Sequence, residues 1–446
     1  MKTLVLLVLS LLIFNAEAQQ PAGANEFSLQ SAIEYALKHN AGYLNAEADA
    51  EYNRYKKNEV LAAGMPQING SFGVNDNQIL PTSLIPAQFF GGKPGTFAPV
   101  KFGVQYNATA GGSVSQLLFS SDYLVGVMAA KEVVKLSQKN ILRSKAETAQ
   151  NVSKAYYGVL VNRERIKILE LNIDRVKLLR DNVEALNKNG FSERIDLDRL
   201  EVSYNNLTTE KEKTMRLAEL SEALLKFQMG YEISAPIILT DKLDAAAGDN
   251  PEILMLNEKP DLSQRPEYLV MEAQQKLNEY DLRRYRLQYL PTLMATGSYS
   301  QMFQKNQLDF NRNNWYPMAI FGATLNLPIF DGLAKNARVQ QAKVNLLKTQ
   351  NNFNQLKLSM EFEVQSAIAN YKNAAASLQV QKKNIELANR IFTTVQKKYE
   401  QGLGSGLELN TAENDLRQAQ TNYYNALFDL IVAKIDYLKS SGTLVK

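Results

Sequence analysis

Two hydrophobic rhythms divide this chain. From Val100 the apolar residues fall on even positions, Phe102, Val104, Tyr106, Ala108, Ala110 and Val114, with Gln105, Asn107, Thr109, Ser113 and Ser115 between them. Alternation with period two puts one set on each face of a β-strand. Weaker alternation runs through Ile68, Phe72 and Val74, then through Leu293, Ala295 and Tyr299, and again through Trp315, Ala319, Phe321, Ala323, Leu325 and Leu327. It predicts strands over 66–78, 100–118, 292–303 and 315–329. Loops join them, a long one over 76–99 rich in Pro, Gly and Phe, and a shorter one over 304–314 rich in Asn and Gln. The second rhythm steps by three and four. Leu409, Ala412, Leu416, Ala419, Tyr423, Ala426, Leu430, Ala433 and Tyr437 follow it. So do Val364, Ala367, Tyr371, Ala374, Leu378, Ile385, Ala388, Phe392, Val395 and Tyr399, with Gln381 as the one polar break. Large and small residues alternate along this heptad, which suits closely packed antiparallel helices. The same heptad also fits a soluble helical bundle.

The two rhythms recur in the same order. Gly190 and Gly402 end long helical stretches, and Gly230 and Gly442 end shorter ones, at one constant offset. The turns after the first pair align as well, Asn-Gly-Phe-Ser-Glu-Arg-Ile-Asp-Leu over 189–197 against Gln-Gly-Leu-Gly-Ser-Gly-Leu-Glu-Leu over 401–409. Upstream, Met65-Pro66-Gln67-Ile68 matches Leu290-Pro291-Thr292-Leu293, and Leu44, Ala48 and Tyr55 match Leu269, Ala273 and Tyr280. A repeated unit of this size is a duplicated structural half. The first half spans 19–230, with a helix over 28–62, two strands and a helical hairpin over 121–229. The second spans 263–442, with a helix over 263–289, two strands and a hairpin over 331–441. Residues 231–262 hold Pro236, Pro251 and Pro260 and read as an irregular linker around the middle of the molecule.

Lengths narrow the architecture. A helix over 121–189 would be about 100 Å long at 1.5 Å per residue. The helices over 28–62 and 193–229, stacked end to end, would together span about 110 Å. Each half therefore reads as one long helix packed on two short ones in series, with the strands at one end and the glycine turns at the other. Four strands are too few to close a barrel, and a membrane does not tolerate an open sheet edge. Strands of about 9–11 residues suffice to cross a bilayer when tilted. Three copies of the chain would supply twelve strands, an even number within the range of outer-membrane barrels. One face of the predicted strands is apolar and aromatic, and the other is rich in Ser, Thr, Asn and Gln, as a wet lumen would be. A soluble antiparallel sheet packed on helices would alternate too.

Charge and composition remove other classes. The chain carries 50 Lys+Arg against 46 Asp+Glu, a net charge of +4, so no basic block points to nucleic acid. It has no cysteine, which excludes a disulfide scaffold, a thiolate metal site and a cysteine nucleophile. Lys2, the apolar run Leu4–Phe14 and Ala16-Glu17-Ala18 form a secretory signal peptide over 1–18. No later stretch is long and apolar enough for a transmembrane helix. The single histidine, His39, has no clustered ligands, and no phosphate loop, nucleophile elbow or zinc motif occurs. Pairs such as Asp196/Asp198 and Glu361/Glu363 read as solvated helix charges. Neither an enzyme nor a bound metal or cofactor is expected. The competing reading is a periplasmic coiled-coil scaffold or adaptor without a barrel.

At this point the mature chain resembles the TolC family of outer-membrane efflux ducts. The likeness rests on the order of both halves, the strand-preceding Pro66 and Pro291, the Arg265-Pro266-Glu267 opening of the second half, and the two glycine turns. It departs at Asn40-Ala41-Gly42, where the family more often has a proline. The resemblance implies a mainly α fold with a transmembrane β-barrel: a homotrimer with a twelve-stranded barrel in outer-membrane lipid on a long helical coiled-coil tunnel through the periplasm. It implies a passive exit duct for tripartite efflux or type I secretion, joined by a periplasmic adaptor to an inner-membrane pump of the RND, ABC or MFS type. The periplasmic end would then be the turns at 189–197 and 401–411. Asp196 and Glu408 stand there at matched positions as candidates for acidic rings, although Ser405 to Glu408 also reads as a capping box. Tyr399 and Asp196 match one expected gate latch, a phenol donating to a carboxylate. Gly404 and Ile195 stand where an arginine-based latch would be expected. Gly190, Phe191, Gly402, Leu403 and Ser405 are candidates for adaptor docking, and Phe102, Tyr106, Tyr299, Trp315, Tyr316 and Phe321 for aromatic girdles.

Overall fold

The computed structural model describes residues 25–243, 260–309 and 311–444. The expected signal peptide and residues 244–259 of the expected linker lie outside them. The chain forms two compact units, one of Ala48–Lys139 and Leu269–Gln355, the other of the remainder.

The first of these units holds a four-stranded antiparallel sheet in the order β2-β5-β7-β8, made of β2 (Gln67–Asp76), β5 (Tyr106–Phe119), β7 (Thr292–Lys305) and β8 (Trp315–Asn326). Register sorts the side chains. Opposite residues share a face, so Phe72, Ala110, Gln301 and Pro317 line up on one side, and Ser71, Gly111, Ser300 and Met318 on the other. The first face carries Ile68, Val74, Val114, Tyr299, Phe321 and Leu325, all exposed. The second carries Asn69, Asn107, Thr109, Ser113, Ser298 and Thr324, but also the exposed Met294, Tyr316, Met318 and Ile320, so it is less uniformly polar than the sequence pattern predicts, above all along β8. Gly111 permits a close crossing, because a Cβ there would stand 2.7 Å from the Tyr299 carbonyl oxygen. β2 and β8 are each bonded on one side only within this chain.

The expected loop over 76–99 is not wholly irregular. It contains a separate antiparallel ribbon of β3 (Thr82–Pro86) and β4 (Phe97–Lys101). The strand expected over 100–118 is accordingly divided between β4 and β5. Gly103, at φ +114°, makes the bend between them, a conformation that a side chain would resist. The unit also holds most of α2 (Ala41–Ala62) and α5 (Pro266–Leu287) and the opening turns of two long helices, α3 (Ser121–Lys188) and α6 (Ala334–Glu400). Polar contacts tie the short helices to the long ones. Asn53 Nδ2 donates to Ser137 Oγ at 2.8 Å, the Tyr123 hydroxyl to the Leu61 carbonyl at 3.2 Å, and Asn278 Nδ2 to Thr349 Oγ1.

The other unit holds α1 (Leu29–His39), the remainder of α3 and α6, α4 (Arg194–Met229) and α7 (Gly406–Ser440). A short parallel pair, β1 (Asn25–Phe27) with β6 (Ile237–Leu239), closes against them. The heptad of α7 is the core: eight of its nine expected positions are buried, and Tyr423 is half-buried. Tyr156 anchors one end of this core. Its hydroxyl donates to the Phe27 carbonyl at 2.9 Å and accepts from the Asp241 N–H at 3.3 Å, and burial pushes its pKa up. Asp241 in turn accepts from the Leu29 N–H at 2.8 Å, satisfying an orphan donor at the start of α1.

The helix expected over 28–62 is two helices. Asn40 has φ −69° and ψ 120°, outside the helical region, so it ends α1. It also begins α2, its Oδ1 accepting from the Tyr43 N–H at 3.2 Å, as an N-cap does. The cause is tertiary. Asn40 Nδ2 donates to the Gln228 carbonyl at 2.8 Å, and the His39 carbonyl lies against Gly230 at the end of α4.

Candidate functional site at the two helical turns

All four repeat glycines adopt positive φ: Gly190 +77°, Gly230 +68°, Gly402 +72° and Gly442 +75°. Each ends its helix with the same pair of bonds. At the first turn the Phe191 N–H reaches the Leu186 carbonyl at 2.9 Å, and the Gly190 N–H reaches that of Asn187 at 3.0 Å. At the second, Leu403 reaches Lys398 at 2.9 Å and Gly402 reaches Tyr399 at 3.0 Å. This is the Schellman arrangement, which satisfies the last carbonyls of a helix. It turns the next side chain outward: Phe191 is 80% exposed and Leu403 77%.

The two turns meet through Asp196, Gly406, Tyr399 and Ser192. Asp196 lies in the first turn of α4, where the helix dipole favours an acid. Its carboxylate fills the space over Gly406, so that a Cβ there would stand 2.5 Å from the Asp196 Cγ. Arg199 Nη1 approaches the same carboxylate at 3.7 Å. Tyr399, in the last turn of α6, is half-buried beside Ser192 and Asp196. Burial raises its pKa, the Asp196 charge adds to that, and Ser192 opposes it. The phenol therefore stays protonated and able to donate. Gly406 was not singled out by sequence reasoning; its signal is the third glycine in Gly402-Leu-Gly404-Ser-Gly406.

The other expected residues stand apart from this contact. Glu408 is exposed. Its N–H donates to Ser405 Oγ at 3.2 Å, which is one half of the expected capping box; among the described residues its carboxylate makes no return bond. Ile195 is exposed, and Gly404 packs closely, a Cβ there falling 3.1 Å from the Tyr399 nitrogen. In the sheet, Tyr106 and Trp315 lie at the end where β2 and β7 finish, on the apolar face, with Trp315 5.7 Å from the Phe303 ring. Tyr316 is at the same end but on the polar face. Tyr299 and Phe321 lie midway along the strands, and Phe102 lies beyond the sheet.

A buried polar layer crosses the helices a short way above the turns. Glu413 on α7 is 1% exposed, and neither carboxylate oxygen has a hydrogen-bond partner among the described residues. Burial pushes its carboxyl up from the ordinary range, and Arg417 and Arg175 pull it back only in part. Arg417 is bound elsewhere, at 3.2 Å to Glu210, and Arg175 lies 4.8 Å over the Phe392 ring. Asn172 Nδ2 donates to Gln420 Oε1 at 2.7 Å in the same layer.

Residues 261–442 match the family model described as outer membrane efflux protein. The chain is 22% identical over 424 residues to outer membrane efflux protein BepC of Brucella suis biovar 1, covering 94% of this chain and 86% of that protein. Among solved structures it is similar to a membrane protein from Pseudomonas aeruginosa, with a TM-score of 0.76 at 17% identity over 93% of each chain. It is also similar to the outer membrane protein VceC of Vibrio cholerae, with a TM-score of 0.73 at 13% identity over 93% of this chain and 96% of that one. At these identities the structural likeness is one of fold.

Proposed function

We propose that the chain belongs to the outer membrane efflux protein family, whose model matches residues 261–442, and that it is the passive exit duct of a tripartite efflux or type I secretion system. Its place is the outer membrane of a Gram-negative bacterium, as for its relatives. Three copies close a twelve-stranded barrel, and a periplasmic adaptor joins the duct to an inner-membrane pump that supplies the energy. The observation that carries this reading is the sheet. It has four strands of 10, 14, 14 and 12 residues, one face of exposed large apolar side chains, an opposite face on which Ser, Thr and Asn predominate in β2, β5 and β7 while β8 adds Tyr316, Met318 and Ile320, and two edges unpaired among the described residues. In hydrocarbon the edges must be paired, and only further strands can pair them. A periplasmic scaffold would leave the same apolar face in water.

The test is single-channel recording of purified protein in a planar bilayer, with its mass in detergent measured first. A trimer giving small, cation-selective steps is expected. A monomer with no channels would overturn the reading.

The turns are then the periplasmic aperture. Tyr399 donating towards Asp196 holds one turn against the other, and no arginine latch reinforces it, since Gly404 and Ile195 occupy those positions. Tyr399→Phe combined with Asp196→Ala is expected to raise single-channel conductance several-fold; an unchanged conductance removes the latch. Three copies each of Asp196 and Glu408 favour cations at this end. Asp196→Asn with Glu408→Gln is expected to move the reversal potential in a salt gradient toward zero. A potential that does not move rules the rings out, which Arg199 beside Asp196 makes a demanding test. Phe191 and Leu403, exposed beside their glycines, are the apolar contacts offered to the adaptor.

A further inference from the structure

The β3–β4 ribbon is not needed to build a barrel, and its surface does not suit water. It continues the β2–β5 pairing past the end of the sheet. That pairing finishes at Asp76 opposite Tyr106, and the ribbon resumes with Thr82 opposite Lys101. Between them, the Asn77 N–H reaches the Gln105 carbonyl at 2.7 Å and the Phe102 N–H that of Pro81 at 3.1 Å, and Gly103 supplies the bend. The ribbon therefore starts at the end of the sheet that carries Tyr106, Trp315 and Tyr316. Aromatic residues of that kind collect at the level of lipid headgroups.

Its chemistry is one-sided. Residues 77–105 contain no Asp or Glu, and their only charges are Lys93 and Lys101. The tip is a single helical turn, Ala87–Phe90, closed by Gly91 at φ +79°. That turn presents Phe89 and Phe90, 74% and 63% exposed. Leu84 and Phe97 are exposed behind them. The carboxylates at this end of the sheet are already held, Asp76 by Gln78 and Gln105, and Asp309 by Lys305 at 2.9 Å. Bulky aromatics beside lysines that pair with no acid among the described residues are what an anionic membrane surface recognises, apolar rings entering the acyl boundary while ammonium groups meet phosphates.

We propose that the β3–β4 ribbon is a lipid-contact element that lies on the outer leaflet, with Phe89 and Phe90 in the acyl boundary and Lys93 and Lys101 on the phosphate groups of anionic lipids. The inference rests on the barrel reading above, because that reading sets the sheet end at a membrane surface. Charge argues against the other occupant, a second copy of this chain. Ribbons from three copies would bring only lysines together, with no acid in the segment to pair them. A lipid surface supplies the missing negative charge.

Tryptophan fluorescence tests this, since Trp315 is the single tryptophan of the chain. The full-length protein is reconstituted into vesicles of phosphatidylcholine, with or without phosphatidylglycerol, carrying lipids brominated near the headgroup. Quenching of Trp315 in the unaltered protein first reports that the sheet end is at the bilayer; no quenching there overturns the barrel reading and the ribbon proposal with it. With Trp315→Phe and Phe89→Trp combined, the introduced indole is expected to emit to the blue and to be quenched by the brominated lipid. Quenching should be stronger with phosphatidylglycerol, and Lys93→Gln with Lys101→Gln should abolish that difference. Red emission quenched by aqueous acrylamide would place the ribbon in water. Blue emission insensitive to brominated lipid would place it against another copy. A response that ignores phosphatidylglycerol would remove the role of the lysines. Each of these three overturns the proposal.

Discussion

Gly230→Ala is expected to cost about 3 kcal/mol or more, where the same change at Gly190 or Gly402 costs about 1 kcal/mol. All four repeat glycines share a left-handed conformation, so all four share the penalty of a Cβ in that conformation. They differ in what surrounds them. At Gly190 and Gly402 a Cβ would meet nothing within 4 Å. At Gly442 it would stand 3.4 Å from the Arg265 Cγ, an ordinary contact with a side chain. At Gly230 it would stand 2.4 Å from the His39 carbonyl oxygen and 3.0 Å from the Asn40 nitrogen. Those are backbone atoms, held by the bond from Asn40 to the Gln228 carbonyl at 2.8 Å, so they cannot step aside as a side chain would. The overpacking term therefore adds to the conformational one at this site alone. Urea denaturation of the four alanine variants, compared at one protein concentration, checks the order. Equal losses at Gly230 and Gly190 would mean that the α1–α2 junction is not packed on the end of α4.

The second large effect is on the dependence of stability on pH. Glu413 has a folded-state pKa raised above its ordinary value of 4.5. A raised value means that the folded protein binds the proton more tightly than the unfolded chain does. The stability of the protonated form is therefore fully present below pH 4.5. It is lost as pH rises, by about 1.4 kcal/mol per unit, until the folded group ionises. Glu413→Gln keeps the shape and removes the titration. It is expected to match the unaltered protein at pH 4 and to exceed it by about 1–3 kcal/mol at pH 7, the cost of a buried group left without a partner. Denaturation curves of both proteins from pH 4 to 7 decide it. A gap that stays constant with pH would show that Arg175 and Arg417 neutralise the carboxylate after all, and that the layer is an ion cluster.

These two sites also show where sequence patterns stop carrying information. The heptad located α7 and its core because steps of three and four are a property of one helix against one neighbour. It placed Glu413 outside the seam, one residue after Ala412. In the folded chain α7 is enclosed on more than one side, by Val176 and Leu179 of α3, Leu200 and Leu207 of α4, and Phe392 of α6. Its buried face is wider than one seam, and Glu413, Leu427 and Ile431 fall within it. The glycine turns were legible for the opposite reason: a left-handed helix end is a local requirement, and glycine answers it locally. The break at Asn40 was not legible, because it comes from the end of a helix distant in sequence. The β3–β4 ribbon was hidden by Pro81, Pro86, Pro94 and Pro99, which read as loop, although its strands are held by cross-strand pairing. At the two helical turns, the contact between Asp196 and Gly406 could not be read from either turn alone. Each turn shows an acid or a glycine, and only the packing of one on the other shows that they share a space.

The hairpin lengths carry a historical consequence. The long arms have 68 and 67 residues and the short arms 36 and 35. One residue inserted into a single arm would turn everything beyond it by about 100°, carrying the buried stripe away from its neighbour. Seven residues restore the stripe, and only a matching insertion in the facing arm restores the turn to its partner. Insertions and deletions are thus filtered as a set, accepted in multiples of about seven and in all facing arms together, each such step changing the reach by about 10 Å. The hairpins can be lengthened or shortened only in quantised steps, and a duplicated gene is the kind of ancestor in which both halves begin at the same setting.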